Sequence, residues 1–264
     1  MTSLAGILAK LDRAEESIEL LNKERVAFLM TEPLPYHVEG GFFDDPTKYE
    51  FRGYQDRPVP LRFSILAGEI IHQLRSCFDH LIGELAAANG QPPIRNHEFP
   101  ICTDREKFRK AIRQQAKVKG ISRSALRRIV KAQPYRHATP DTTTINLIHQ
   151  WDILDKHRLL LVVGKMVTLG NGAEVGTTEP EGPTPEIIKL TKAPQKVLSE
   201  QGHEIFSIAL SQPVPDFEAK GQFHVHLVFG EEGPAYAVEV ISTLRTMAAF
   251  TRKFISSFKD ELGA

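Results

Sequence analysis

The sequence predicts an α+β fold. The expected architecture is a mainly α-helical bundle of about five helices, with a small antiparallel β-sheet elaboration inserted before the C-terminal helix and a short β-hairpin near 36–60. Three observations predict it. Apolar residues recur at helical spacing over several long stretches. Residues 165–232 instead carry alternating apolar runs separated by glycine and proline. The helical and strand-like runs are segregated along the chain, which argues against a doubly wound parallel sheet. All of 1–264 reads as a single domain, with a helical core of 4–30, 61–164 and 234–262 and a β elaboration of 165–232.

The elements follow in order. Leu4, Ile7, Leu8, Leu11, Ala14, Ile18 and Leu21 mark an amphipathic helix over 4–30, ended by Pro33 and Pro35. Aromatic residues broken by Gly40-Gly41 and Asp45-Pro46 mark the hairpin. Pro60 opens a long helix that Gly90 and Pro92-Pro93 terminate near Asn89. Thr103, with Glu106 three residues on, predicts a capping box for a basic helix reaching about Lys119. Ser122 caps a short helix to Ala132. Asp141 or Thr142 caps a second long helix that ends near Gly164. Gly170-Asn171-Gly172 reads as a turn rather than a phosphate loop. Ile205 to Leu210 and Phe223 to Phe229 read as strands, with His224 and His226 on one exposed side. A helical pattern returns from Pro234 to Leu262.

Composition bounds the function. The chain is 41% hydrophobic and 25% charged, which places it among ordinary soluble globular proteins. Its formal net charge is zero, so no global basic field draws it to nucleic acid, although a local patch still can. Cys77 and Cys102 lack zinc-finger spacing and read as reduced thiols. Met1 to Lys10 lacks the basic start and apolar block of a signal peptide, and no stretch approaches ~20 consecutive apolar residues. A cytoplasmic protein with no membrane partner and no cofactor is expected.

Two helices carry more polar chemistry than their hydrophobicity suits. On the helix from 61 to 89, Ile70, Leu74, Cys77, Leu81 and Leu85 form the apolar face. At ~100° per residue, His72, Arg75 and Asp79 fall close together, whereas His80 lies ~140° from Arg75. On the helix from 141, Ile148, Asp152, Asp155 and Leu159 share a stripe flanked by His149 and Lys156, and His157 and Arg158 follow. Buried charges must be paired, so the two helices are expected to face each other, with Arg75 bridging to Asp152 or Asp155. The functional centre is then expected where Arg75, Asp79 and His80 meet Asp152, Asp155 and His157.

Three readings fit that cluster. One is a buried ion-pair network that sets helix register, as in a non-catalytic interaction module. Another is a metal site drawing on His72, His80, His149, Asp152, Asp155 and His157, although Glu-x-x-His and His-Glu-x-x-His signatures are absent. The third comes from Arg75-Ser76-Cys77-Phe78-Asp79-His80, which resembles the Arg-x(4–6)-His motif of HEPN-type ribonucleases. That resemblance implies a helical, often dimeric domain that cuts RNA without metal. Arg75 would then hold the scissile phosphate and His80 would move the 2′-hydroxyl proton. Ser76 departs from the Asn or Asp that usually follows the arginine in that family. A broader resemblance rests on Ile71 to Leu81, Phe99-Pro100-Ile101, Gln133-Pro134-Tyr135 and Leu154-Asp155-Lys156-His157-Arg158. In order and spacing these look like a bacterial protein family with Leu-Arg-Ser-Ala-Leu-Asp-His-Leu and Asp-Lys-His-Arg motifs, a family that implies no particular reaction.

The strongest charge asymmetry is the run Arg105, Lys107, Arg109, Lys110, Arg113, Lys117, Lys119, Arg123, Arg127, Arg128 and Lys131, with Glu106 the only acid among them. Such a run is a solvated helix face or a track for a phosphate backbone. RNA and a second copy of the chain are the partners these readings imply.

Overall fold

A computed structural model describes residues 4–92, 94–159, 162–168, 174–177, 186–192, 197–214, 217–230 and 238–263. The fold is α+β, as the segregated periodicities predict. The chain divides into two compact units: Met1–Lys23, Leu61–Leu161 and Glu231–Ala264 form one, and Glu24–Pro60 with Val162–Gly230 form the other. The hairpin and the β elaboration, far apart in sequence, therefore belong to the same unit.

The helical unit is organised around α2 (Leu61–Ala88). Ile70, Ile71, Leu74, Cys77, Phe78, Leu81 and Ile82 on α2 are fully buried. Helix α1 (Ala5–Leu29) buries Ile7, Leu11, Ala14, Ile18 and Leu21, the stripe its spacing predicts. Helix α5 (Thr144–His157) packs on α2, and α6 (Val240–Ser256) packs on both. Phe78, Phe99 and Phe254 interlock, with ring centroids 5.2 to 5.7 Å apart. Asp12 and Glu15 on α1 pair with Arg252 on α6, and Glu19 pairs with Arg245. A short helix α7 (Lys259–Leu262) follows. The predicted helix start at Pro234 lies outside the described residues, as does the Gly170-Asn171-Gly172 turn.

Two short basic helices lie between α2 and α5. Helix α3 (Arg105–Arg113) is capped by Asp104, whose side chain accepts from Lys107 N, and not by the predicted Thr103. Either residue type can cap a helix; one residue of register decides which carboxyl or hydroxyl meets the free N–H. α3 also ends short of Lys119, because the chain turns at Ala116 with φ +54°. Helix α4 (Arg123–Lys131) starts as predicted, with Ser122 accepting from Ala125 N.

The second long helix is shorter than predicted. It ends at His157; Arg158 is extended, and β3 (Val162–Thr168) follows where the sequence predicts helix to Gly164. The run Leu159 to Val163 is apolar throughout, so its periodicity cannot distinguish helix from buried strand. Pairing with a distant strand decides it.

In the second unit, β1 (Tyr36–Phe42) and β2 (Lys48–Gln55) form the predicted hairpin. β5 (Ile187–Lys192) and β6 (His203–Leu210) extend it into an antiparallel sheet of order β1-β2-β6-β5. Between β3 and β5 in sequence lies β4 (Glu174–Thr177), which pairs with β7 (Phe217–Lys220); β3 pairs with β8 (Phe223–Phe229). Tyr49, Phe51, Ile208, Leu210 and Phe217 form one apolar cluster. On the sheet's polar side, buried Glu50 accepts from Lys48 and Arg52 at 2.8 and 2.9 Å.

Candidate functional site

The helical unit holds an open cleft of about 810 Å³. Helix α2 supplies Arg75 and Asp79 to it, α5 supplies His149, Asp152, Ile153 and Lys156, and the loops supply residues 95–98, Gln115 and Lys117. On each helix the residues recur at i, i+3, i+4 or i+7, so they share a face.

Arg75 is the centre of this arrangement and is only 4% exposed. Every arm of its guanidinium is engaged. Nη1 donates to Asp79 Oδ1 at 2.6 Å, Nη2 to the Phe99 carbonyl at 3.1 Å, and Nε to His149 Nδ1 at 3.3 Å. Glu98 Oε1 lies 3.5 Å from Nη2 and 2.7 Å from Lys117 Nζ. Asp79 Oδ1 also accepts from Phe99 N at 2.8 Å. Arg75 and Asp79 thus grip both backbone groups of Phe99, and this fixes the loop that forms one wall. A buried charge with a partner at each of its three nitrogens meets the condition for burial at tolerable cost.

Asp152, with its side chain 3% exposed, is satisfied separately: His72 Nδ1 lies 2.8 Å from Oδ1, and Lys156 Nζ lies 2.6 Å from Oδ2. No salt bridge joins Arg75 to Asp152 or Asp155 among the described residues, which corrects the predicted bridge. The helices do face each other, but Asp152 takes His72 across from α2 and Lys156 from its own helix, while Arg75 pairs with Asp79 within α2. Asp155 sits half-buried over Gly68, where a Cβ would collide with its carboxylate. His157 is exposed at the end of α5.

Of the six predicted site residues, the cleft therefore gathers Arg75, Asp79 and Asp152, while His80, Asp155 and His157 lie outside its lining. His80 is exposed, and its pKa is lowered by partial burial and by the charge of Lys10 on α1. The imidazole beside Arg75 is that of His149. Its position three residues before Asp152 on α5 is the sequence signal that could have singled it out. Glu98 and Lys117 come from loops whose conformation no periodicity encodes.

Burial, and then the Arg75 charge, push the His149 pKa down to about 4. At neutral pH the ring is uncharged. Because Nδ1 accepts the Arg75 Nε–H, the ring proton sits on Nε2. His149 thus presents a neutral N–H donor.

A second polar tie lies behind the cleft wall. Gln133 is fully buried; its Nε2 donates to the Pro100 carbonyl at 2.7 Å and to the Ile129 carbonyl at 3.2 Å, and its Oε1 accepts from Cys102 N at 3.1 Å. Tyr135 N donates to the Cys102 carbonyl at 3.2 Å. The separated motifs Phe99-Pro100-Ile101 and Gln133-Pro134-Tyr135 are thereby joined.

Among the described residues no three His, Cys, Asp or Glu side chains are grouped to hold a metal ion. Burial pushes the Cys77 thiol up to about 12 and raises that of Cys102, so neither is poised as a thiolate. No described helix is long and apolar enough to cross a membrane. No protein-family model matches the chain, and no curated protein or solved structure matches it.

Proposed function

We propose that the helical unit is an RNA-binding module that holds a single strand along its basic helices and in the adjoining cleft. The observation that carries this reading is the charge of residues 105–131. Glu106 is the only acid among eleven arginines and lysines there. Helix α3 turns Phe108 and Ala111 inward, and α4 does the same with Ala125 and Ile129, so Lys107, Lys110, Arg113, Arg123, Arg127 and Lys131 are exposed. In a chain of zero net charge this is a local basic field, and a polyanion responds to the local field. Lys117, from the same segment, lines the cleft. RNA is the polyanion named because the Arg75-to-His80 spacing resembles that of RNA-cutting domains.

Binding is preferred to cleavage on chemical grounds. Each nitrogen of the Arg75 guanidinium is held, by Asp79, Phe99 or His149, and its side chain is only 5% exposed, so it is not turned toward a scissile phosphate. Exposed His80 is separated from it by about 140° of helix.

Fluorescence anisotropy with a labelled single-stranded RNA tests the reading. Submicromolar to micromolar binding at ~50 mM salt is expected, with log K falling by about 0.7 per neutralised phosphate for each unit of log salt. Lys110→Glu with Arg113→Glu should weaken binding at least tenfold, while His80→Ala should leave it unchanged. Absence of binding at low salt, or binding indifferent to the charge reversals, would exclude the proposal. Equal affinity for single-stranded DNA would remove RNA as the specific ligand.

A further inference from the structure

The carboxylates of the cleft are each paired with a cation, and several of its donors are open. Asp79, Glu98 and Asp152 each accept from a cation of the protein itself. Lys117 Nζ has one such bond, to Glu98, and Lys156 Nζ has one, to Asp152, out of three N–H donors on each ammonium. His149 lines the same cleft, its Nδ1 is taken by Arg75, and its Nε2 has no protein partner among the described residues. Arg95, exposed on the rim, adds a fourth cation to the lining. With Arg75, the lining thus holds four cations against three carboxylates, each already paired.

We infer that the cleft is a phosphate-binding site in which the His149 Nε2–H and the ammonium groups of Lys117 and Lys156 donate to the non-bridging oxygens of one phosphate group. Donors drawn from a helix, a loop and a flexible lysine stem suit a tetrahedral group with several acceptor oxygens better than a planar carboxylate with two. The neutral imidazole matters for the chemistry. A ring whose Nδ1 already accepts a hydrogen bond has no free lone pair, so His149 can bind an oxyanion but cannot remove a proton from a nearby hydroxyl. Burial and the neighbouring guanidinium keep it in that state at physiological pH. The phosphate can belong to the RNA backbone or to a small phosphorylated molecule. The inference rests on the RNA-binding reading for the first of these sources alone.

Imidazole ¹⁵N–¹H correlation spectra of the full chain at pH 7 test it, with titrations of inorganic phosphate, of chloride at matched ionic strength, and of a short single-stranded RNA. The His149 signals should show the Nε2–H form and shift saturably with phosphate at millimolar concentration. Lys117→Met and Lys156→Met, both at side chains with solvent access, should weaken that shift about tenfold each while thermal melting confirms the fold. By calorimetric phosphate titration, His149→Gln, which keeps an amide donor, should retain part of the affinity, and His149→Phe should lose it. A proton on Nδ1, an absent phosphate response, or an equal response to chloride would overturn the site. If phosphate shifts the ring and RNA does not, the site stands and its ligand is a small phosphorylated molecule. If RNA shifts it as well, the ligand is a backbone phosphate.

Discussion

Arg75 Nε lies 3.3 Å from His149 Nδ1, and this hydrogen bond, beside that of His72 to Asp152, joins α2 to α5 while setting the tautomer of the imidazole. The Arg75 side chain is 5% exposed. Its role is therefore positional: it fixes Phe99, next to the cleft-lining residues 95–98, through the backbone carbonyl, and it fixes the ring of His149.

Arg75→Met should destabilise the protein by about 3 kcal/mol or more, because it leaves Asp79 half-buried without its cation and frees the Phe99 carbonyl. Arg75→Lys should recover little, since a single ammonium cannot reach three acceptors in a fork. Urea titration followed by circular dichroism measures both.

Stability should fall on acidification through the His149 range. Its folded pKa of about 4 lies below the ordinary value near 6.5, so between those values the unfolded chain binds more protons and stability rises with pH. The contribution is on the order of 3 kcal/mol, fully present above about pH 6.5 and lost as pH drops toward 4. Arg75 and Lys117 oppose protonation, while Glu98 and Asp152 favour it. Denaturation midpoints at intervals from pH 4 to 7 should slope more steeply in the wild type than in His149→Gln.

Gly68→Ala should destabilise, although alanine is the better helix former by about 1 kcal/mol. The new methyl would meet the Asp155 carboxylate. Asp155→Ala alone should cost under about 1 kcal/mol, because the carboxylate is half-buried and has no ion pair among the described residues. In the Gly68→Ala, Asp155→Ala double variant the loss should largely disappear. A double-mutant cycle by thermal melting reads this coupling; additive losses would mean the two residues do not touch.

Gln133→Leu should cost about 3 kcal/mol. It leaves the Pro100 carbonyl and Cys102 N without their side-chain partner in a site sealed from water. The same denaturant titration checks it, and a change below about 0.5 kcal/mol would show that the loop holds without this tie.

Local periodicity, or a cap beside it, is enough for the fold class, the helices at 5–29 and 61–88, the Ser122 cap and the strand at 223–229. The sequence also singles out Arg75, Asp79 and Asp152, since charge on an otherwise apolar helix face has to be paired somewhere. The partners follow from packing in three dimensions. Asp79 and Glu98 take Arg75, His72 and Lys156 take Asp152, and His149 stands where His80 was expected. Helical spacing states which residues share a face, but the loop that brings Glu98 and Lys117 to the cleft has no period. The ending of α5 at His157 was equally hidden, because an apolar run becomes helix or strand according to the partner it pairs with, and for Val162–Thr168 that partner, Phe223–Phe229, lies far along the chain.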